Sequence, residues 1–473
     1  MATSTTPLST IEEILDFSSP ATAAERISAL REKSIIVPPW FGKKGLNAEY
    51  DPREHPVMNT AVYRDGVNPD GTPEKVTRVP CNLQRLAVKR MTELVCGIPV
   101  KRIYKPDGDE QAEVARWLEA IYQRNRIESV NVERLNMLFA GCEVMTLWYA
   151  VEQPNVQYGF ASPLKLRCRN FSPMLGDDLY PLFDEYGDMT AMSVGYDRKV
   201  GKQRVSFFET YSADRHVKWS NAGGDYAVIE DETFTLGKIP CLYCYRPTPI
   251  WEDTSPIVYE IEWALSRNGN YLRRNSKPIF VVTADEEIAF GGEQSEDKEF
   301  RSVLQFPKGS SASYVTWSQA TEALKYHVSE LRQSFFTQLQ LPDWSYESMK
   351  QNAMSGESRK QLFIDCQLKV KDESGRLIEY FDREMNVVKA FLKAMVDARY
   401  HDAIDSLRVE TEITPFTISD DKDTINNLTA ANGGKPLMSQ RESIEYLGWS
   451  SDVDKTLAEI EEDGKGDVFG TFE

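Results

Sequence analysis

The stretch LQLPDWSYESMKQNAMSGESRKQ, residues 339–361, separates the two longest helical patterns of the chain. On its N-terminal side, apolar residues recur at steps of three or four, which predicts an amphipathic helix that stops at Pro342. On its C-terminal side, a similar repeat runs to Met395, so a helix that starts near Ser355 would be roughly 60 Å long. A helix of that length crosses a whole domain. The polar stretch therefore joins the two elements that set the dimensions of the fold.

The N-terminal half alternates between helical and β patterns. Residues 1–78 hold one helix, which Thr22 can cap, and then a run rich in Pro, Gly and Asn, so we expect them to lie over another surface or another subunit. Residues 143–248 are short aromatic and β-branched runs separated by Gly, Asp and Asn, which predicts an antiparallel meander. The predicted helices are 23–33, a helix from Asn82 that Gly97 and Pro99 end, 110–124 and 130–141.

Helices dominate the C-terminal half. Ser255 followed by Pro256 marks the start of a helix whose later part becomes polar. A small β-rich insert follows at 279–317, and Ser318 can cap the helix that leads to the quoted stretch. Beyond the long helix, the predicted elements are a strand at 408–416, a helix from Ser419 and a capping box of Ser439 with Glu442.

The chain is acidic, since 73 Asp and Glu residues stand against 55 Lys and Arg, a formal net charge of -18 over 473 residues. The length predicts about two to four domains. Proteins that grip a phosphate backbone cluster Lys and Arg, so this charge argues against tight nucleic-acid binding but leaves open a conduit in which DNA must slide. Residues 1–30 do not resemble a secretory leader and no apolar run suits a bilayer, so we expect a cytoplasmic protein without membrane contact.

Seven cysteines are scattered through mostly apolar surroundings, which predicts reduced core residues. Cys241 and Cys244 form a C-x-x-C pair, a spacing that zinc and redox sites use. No second pair or nearby histidine completes four ligands, and PCLYCYR has the composition of a buried strand. Strand packing is therefore favoured over a metal site.

No reaction centre is evident. The four histidines lie far apart in the sequence, and the nucleophile-elbow, phosphate-loop and dinucleotide-binding motifs do not occur. Carboxylates cluster at 176–178, 284–287 and 419–423, and paired acids can act as general acids and bases or hold Mg²⁺. In an acidic chain such clusters more often solvate turns or cap helices. We therefore predict no catalytic, cofactor-binding or metal-binding residues, and a protein that is not an enzyme.

Several motifs stand in the same order as in the portal proteins of long-tailed double-stranded DNA phages, and over residues 80–463 the chain resembles that family. The family's opening helix is similar to NLQRLAVKRMTELVCGIPV, and the start of its long helix after a channel loop is similar to NAMSGESRKQLF. The chain departs from the family in a wing-to-stem passage rich in Arg and Asn and in a short tail. The other matching stretches are FAGCEVMTLWYAVEQ, FSPMLGDDLYPLFDEYGDMTAMSVGY and ETYSADRHVKWS for the wing sheet, LGKIPCLYCYRPTPIWEDTSPIVYEIEWALSRNGN for the wing-to-stem passage, and TPFTISDDKDTINNLTAANGGKPLMSQRESIEYLG for the closing segment.

The resemblance implies an α+β protomer of the portal type, with an α/β wing, a two-helix stem, a small β-rich clip, a long wing helix and a short helical C-terminal crown, assembled as a ring. Mapped onto this chain, the parts are an N-terminal arm at 1–78, the wing at 79–250, the first stem helix at 251–278, the clip at 279–317, the second stem helix at 318–340, the tunnel loop at 341–355, the long wing helix with its strand at 356–418, and the crown and tail at 419–473.

The resemblance also implies a function. Portal proteins form a dodecameric ring at one capsid vertex, through which a separate terminase motor pumps DNA that is later released into the tail. The implied partners are double-stranded DNA in transit, the terminase large subunit, head–tail adaptor proteins, and major capsid and scaffold proteins. The implied location is the virion, after synthesis in the bacterial host cytoplasm, and no cofactor is implied.

Two groups of candidate residues follow from the mapping. The tunnel loop would project toward the ring axis, where its aromatic residues pack against the next copy and its polar residues touch phosphates weakly; the alternative is a surface loop whose aromatics anchor to the protein itself. The basic group gathers at the end of the first stem helix, where it could stabilise the helix carbonyls, pair with acids of a neighbour or face the channel. We favour pairing between subunits, with DNA contact as the second choice. The loop group is Trp344, Tyr346, Met349, Lys350, Gln351 and Asn352, and the basic group is Arg267, Arg273, Arg274 and Lys277.

Two other classes of protein remain open from the sequence. One is an acidic cytoplasmic hydrolase, which would need a convergent carboxylate or metal site. The other is a different ring-forming phage structural protein of the tail or connector. Tail and baseplate components are usually β-dominated, whereas this chain has long helical patterns.

Overall fold

The fold alternates helical segments with small antiparallel sheets. A computed structural model describes residues 10–32, 46–67, 71–275, 279–283, 311–315, 321–343, 364–416, 421–433, 436–448, 450 and 453–466. The helices are α1 Ile11–Leu15, α2 Ala23–Arg31, α3 Leu46–Tyr50, α4 Leu83–Cys96, α5 Asp109–Arg124, α6 Ile127–Gly141, α7 Ser255–Asn275, α8 Thr321–Gln338, α9 Ile364–Met395, α10 His401–Ser406, α11 Asp421–Asn432, α12 Gln440–Leu447 and α13 Val453–Gly466. The strands are β1 Gly66–Val67, β2 Pro73–Glu74, β3 Lys101–Lys105, β4 Glu143–Asn155, β5 Ser162–Phe171, β6 Asp178–Phe183, β7 Met189–Val200, β8 Gln203–Tyr211, β9 Arg215–Ser220, β10 Ala227–Thr233, β11 Cys241–Tyr245, β12 Ile279–Thr283, β13 Ser311–Val315 and β14 Arg408–Glu412.

The strands between residues 143 and 248 form two sheets, so the prediction of one continuous meander is wrong. Strands β6 to β10 do form a five-stranded meander, but β4 and β5 pair with β11 in a separate sheet of order β11-β4-β5. The reason lies in β4, whose first six residues are all buried. A strand buried on both faces belongs in the middle of a sheet, so the later strand β11 returns to pair with its second edge.

The main core lies between the helices and the inner face of the three-stranded sheet. Helices α4, α5 and α6 pack there against the long helix α9, and buried Trp148 on β4 joins them. The apolar repeat predicted along α9 is confirmed within its described length, since its members there are buried. They are Cys366, Val370, Leu377, Phe381, Met385, Val388, Leu392 and Met395.

The N-terminal helices cover the outer face of the five-stranded sheet. Ile14 of α1 and Leu30 of α2 pack against Phe208 and Trp219 on that face. Thr22 caps α2 with a complete capping box, as the sequence predicts. The expectation that this part of the chain lies over another surface is therefore confirmed for α1 and α2, and the surface belongs to the same chain.

Local sequence signals predicted most helix ends correctly, but they did not predict the pairing of strands that lie far apart in the sequence. The capping box of Ser439 with Glu442 is confirmed at the start of α12. Helix α6 begins at Ile127, three residues earlier than predicted, because Arg126 before it adopts a left-handed φ of 50° that turns the chain directly from α5 into α6. Strand β3 was not predicted at all, and it pairs with the predicted strand β14. Ser318 and Ser419 lie outside the described residues.

The cysteines are all free, and Cys142, Cys241, Cys244 and Cys366 are buried. Cys241 and Cys244 lie in β11, as the prediction of a buried strand requires, and burial holds the pKa of the Cys244 thiol at about 12. Within the described ranges, no helix combines the length and the apolar character needed to cross a bilayer.

Candidate functional site: a helix pair and its brace

Helices α7 and α8 form the helix pair that the sequence places on either side of the 279–317 insert. Val258 and Ile261 of α7 and Phe335 of α8 are buried in the main core. Strands β12 and β13, described within the insert, pair antiparallel from Ile279 opposite Val315 to Thr283 opposite Ser311. The described part of the insert is therefore a two-stranded ribbon between the two helices.

An extended segment, residues 75–81, runs along α7 and is called the brace below. The Cys81 N–H donates to Glu262 Oε1 at 2.6 Å, and the Val79 N–H donates to Ser266 Oγ at 2.9 Å. One turn further on, the Thr77 N–H donates to Asn270 Oδ1. Three successive turns of α7 thus each supply one acceptor to the brace. A fourth contact runs the other way, because Arg273 Nη1 donates to the Lys75 carbonyl at 3.1 Å.

The regular spacing of these bonds follows from backbone geometry. Two residues of extended chain advance about 6.6 Å, and four residues of α-helix advance about 6.0 Å. Every second N–H of the brace therefore meets the next turn of α7 with little mismatch. In the described structure, no strand pairs with residues 75–81 of the brace. The side chains of α7 instead accept hydrogen bonds from the backbone N–H groups of the brace, since buried backbone donors need such partners.

A buried ion pair fixes the C-terminal end of the brace. His55 Nδ1 lies 2.6 Å from Glu262 Oε1, and both side chains are fully buried. His55 Nε2 lies 2.8 Å from the Glu49 carbonyl, which can only accept, so Nε2 carries a proton and the second proton lies between Nδ1 and the carboxylate. Burial lowers the pKa of His55, but the bonds to Glu262 and Glu49 outweigh it, and the net shift of that pKa is upward.

The start of α7 is held by the carboxylate of Glu49. Trp251 Nε1 donates to Glu49 Oε2 at 2.8 Å, and Ser255 Oγ donates to the same oxygen at 2.9 Å. The helix begins at Ser255, one residue before the predicted first position Pro256. A carboxylate at a helix N-terminus is also favoured by the helix dipole. The segment 49–81 therefore grips α7 at its start and over its next turns.

The close approach of the brace makes Gly269 in α7 a sensitive position. A Cβ at residue 269 would lie 2.9 Å from Thr77 Cγ2, whose residue is held in place by its bond to Asn270. Gly269→Ala is therefore expected to lower the free energy of unfolding by about 1–3 kcal/mol through overpacking, although alanine is the better helix former. Gly375→Ala in α9 is the matched control, because nothing lies within 4 Å of its Cβ position, and it should stabilise by up to about 1 kcal/mol. Urea unfolding measures both, and equal effects would contradict the tight contact.

A second joint lies where α8 ends. Gln340 takes a left-handed φ of 52°, which turns the chain sharply out of the helix. Arg332 Nη2 pairs with Asp343 Oδ1 at 3.2 Å, and Lys369 of α9 donates to the Leu339 carbonyl. Burial, followed by the charge of Arg246, lowers the pKa of Lys369 to about 8. The end of α8 is thus tied both to its own last turns and to the long helix.

The predicted candidate residues fall partly outside the described structure. All six loop residues, Trp344, Tyr346, Met349, Lys350, Gln351 and Asn352, lie outside the described residues, as does Lys277. Arg267 is exposed, with its guanidinium 5.4 Å from the Trp263 ring centroid. Arg273 contacts the brace of its own chain, and Arg274 lies in the last turn of α7.

Sequence reasoning missed the brace and its ion pair. One signal was available, because Glu262, Ser266 and Asn270 recur every four residues and form a polar stripe along α7. The partners of that stripe could not be read from the sequence, since an extended segment 75–81 carries no pattern that points to a helix far along the chain. Over the described ranges, no group of three or more His, Cys, Asp or Glu could hold a metal ion.

Comparison with known proteins gives one family. The family model described as "Phage portal protein, SPP1 Gp6-like" matches residues 44–468. No curated protein matches the chain at a significant level.

Two solved structures with similarity to the chain come from gene transfer agent (GTA) particles. The chain is similar to a chain of "Neck of native GTA particle computed with C12 symmetry", with 11% identity and a TM-score of 0.39 over 90% of this chain and 98% of that one. It is also similar to a chain of "Neck of empty GTA particle computed with C6 symmetry", with 12% identity and a TM-score of 0.37 over 84% of this chain and 94% of the other.

Proposed function

The chain belongs to the SPP1 Gp6-like family of phage portal proteins, and we propose from this membership that it forms a dodecameric ring at one vertex of a phage capsid. The family is structural and not enzymatic. The observation that carries the proposal is the match over residues 44–468, because it includes the brace, the helix pair and the long helix together. The prediction of a member of the portal family is thereby confirmed.

We propose that the parts of the protomer follow the order expected from the sequence. Helices α4 to α6, the two larger sheets and α9 would make the wing, at 79–250 and 356–418. Helices α7 and α8 would be the stem, the ribbon between them would belong to the clip at 279–317, and α11 to α13 would belong to the crown at 419–473. The packing of α7 against α8 and the 32-residue length of α9 support this division.

The tunnel loop at 341–355 would carry the contact with DNA. Its first residues follow the tied end of α8, and the bonds of Asp343 and Leu339 give the loop a fixed base. Twelve chains of -18 sum to a formal charge of -216, so the ring as a whole repels a phosphate backbone. Weak contacts from the loop residues in a repelling channel would let duplex DNA move in both packaging and ejection.

The partners would be those of a DNA conduit in a virion. The clip would dock the terminase large subunit during packaging and head–tail adaptor proteins afterwards, and the wing would meet major capsid and scaffold proteins. The basic residues Arg267, Arg273, Arg274 and Lys277 would stabilise the subunit contact of the stem. For Arg273 the bond to the brace adds a second role, because it fixes the side chain before assembly.

Deleting residues 344–352 tests the role of the loop. We expect the variant to form rings in negative-stain images like the natural chain, and packaged DNA per particle to fall by an order of magnitude or more, since each subunit loses its contact with the duplex. A Gly and Ser replacement of the same length separates loop length from side-chain chemistry. Loss of rings in the deletion variant would reject the channel role and make this segment an assembly element.

A further inference from the structure

The two larger sheets face each other over only part of their area. Met145 and Leu147 on β4 and Phe171 on β5 pack against Met192 and Val194 on β7. Farther along the same face of β4, Tyr149 and Val151 are each 37% exposed. The outer half of the three-stranded sheet therefore presents an open face that continues a buried one.

Three cations line this open face. Arg169 lies opposite Leu147, Arg167 opposite Tyr149 and Lys165 opposite Val151 in the antiparallel register of β4 with β5. Directly paired residues project to the same face of a sheet, so the three basic side chains stand beside the two exposed apolar ones. The Arg169 guanidinium stacks on the Phe171 ring, 4.3 Å from its centroid, whereas Arg167 is exposed and Lys165 is half-buried. Three cations on one face of a sheet contrast with the net charge of -18 of the whole chain.

The five-stranded sheet has an acidic counterpart on the face that it turns toward the other sheet. Buried Val194 lies opposite Glu209, which lies opposite Lys218, which in turn lies opposite Glu230. This ladder leads from the buried contact between the sheets out to β10, where every residue is exposed. Glu232, opposite His216, stands on the same face two residues beyond Glu230. In the described part of the fold, no strand pairs with the outer edge of β10.

We propose that the acidic face around β10 of one copy packs onto the basic face of β4 and β5 of the next copy in the ring. The basic face and the acidic face both lie on the sides by which the two sheets of one chain pack together. The acidic face of a second copy would therefore cover the basic face of the first and continue the sheet-on-sheet packing found within one chain. The two faces differ, and a contact between different faces of identical chains is the head-to-tail kind that closes a ring. This inference rests on the proposed ring.

Charge and composition favour a second copy over duplex DNA as the occupant. Glu232 and Glu230, the latter with only a 3.4 Å contact to Lys218 of its own chain, complement Lys165 and Arg167. Opposite charges at an interface fix orientation and suppress wrong pairings. A phosphate-binding surface gains nothing from an exposed Val151 between its cations, whereas a protein interface buries apolar groups at its centre. In an acidic chain, such a contact also offsets the repulsion between neighbouring subunits.

A charge-swap experiment tests the contact. The variant Lys165→Glu/Arg167→Glu places like charges against the acidic face, and we expect its ring to dissociate at a concentration at least about tenfold higher than that of the natural chain. The variant Glu230→Lys/Glu232→Lys should weaken the ring similarly, and the four substitutions together should restore it. Mass photometry across a dilution series measures the ring fraction. Arg116→Glu on α5 is the matched control, since Arg116 is also exposed, and it should leave the ring unchanged.

The outcomes separate this inference from the proposed ring. A natural chain that stays monomeric at every concentration overturns the ring and the contact together. Rings that form equally well in the natural chain and in both double variants overturn the contact alone. Intact rings that lose affinity for a fluorescent DNA duplex in Lys165→Glu/Arg167→Glu make this face a DNA surface and also overturn the contact. Unchanged thermal unfolding of the variants shows that any loss of rings does not come from misfolding.

Discussion

Glu384→Ala is expected to lower the free energy of unfolding by about 3–5 kcal/mol, because it leaves a buried arginine without its counter-charge. Arg134 of α6 reaches Glu384 of α9 with two bonds, Nη1 to Oε1 at 2.7 Å and Nη2 to Oε2 at 2.8 Å. Their side chains are 1% and 2% exposed. Trp148 Nε1 also donates to Glu384 Oε1 at 3.0 Å, so the carboxylate joins α6, α9 and β4 at one point.

The same helix supplies the control for this prediction. Arg383 Nη2 pairs with Glu379 Oε1 at 2.6 Å, but these side chains are 47% and 61% exposed. Glu379→Ala should therefore change the stability by less than about 1 kcal/mol. Urea unfolding followed by tryptophan fluorescence compares the two variants. If Glu384→Ala were no more destabilised than Glu379→Ala, the buried pair would not be what holds α6, α9 and β4 together.

Glu262→Ala is expected to have a comparable effect on the joint between the brace and α7. The substitution removes the acceptor of both His55 and the Cys81 N–H in a fully buried site, and breaking a buried pair by removing one partner costs about 3–5 kcal/mol. Because the brace then loses the bond at its C-terminal end, protease cleavage within residues 71–81 should also become faster. Limited proteolysis followed by mass spectrometry detects this local release separately from global unfolding.

The pH dependence of stability provides a second measurement at the same site. The pKa of His55 is raised in the folded protein above its ordinary value of 6.5, so the ion pair stabilises fully below pH 6.5. That stabilisation is lost as the pH rises through the folded pKa. Glu262→Gln keeps an acceptor but removes the charge, and it should flatten this part of the stability profile above pH 6.5. An unchanged alkaline slope in Glu262→Gln would assign the slope to other groups.

The sequence predicted what local patterns determine. Thr22 and Ser439 cap their helices because capping needs only residues three positions apart, and the buried face of α9 follows from a repeat within one helix. Strand β3, KRIYK, has three cationic residues among five, like many surface segments, and only its distant partner β14 makes it a strand. The split of the predicted meander depends in the same way on β11 returning to β4.

The candidate site was predictable in outline only. The helix pair followed from periodicity and from the order of motifs shared with portal proteins, whereas the His55–Glu262 pair joins residues whose proximity no spacing reveals. The basic residues at the end of α7 were expected to serve contacts between subunits, and that prediction still stands to be tested. Arg273 illustrates why such residues are hard to assign, because a surface cation finds partners within its own chain as readily as outside it.

The brace also restricts any axial shift of α7 to discrete hydrogen-bonding registers. Its donors at Cys81, Val79 and Thr77 are spaced like helical turns, so displacement by a fraction of a turn leaves all of them facing the wrong positions. The nearest alignments in which two donors regain acceptors lie four residues, about 6.0 Å, away along α7, and in one of them Cys81 faces Val258. The contact between the brace and α7 therefore has one preferred register. It resists axial sliding of α7 under load better than a purely apolar contact would.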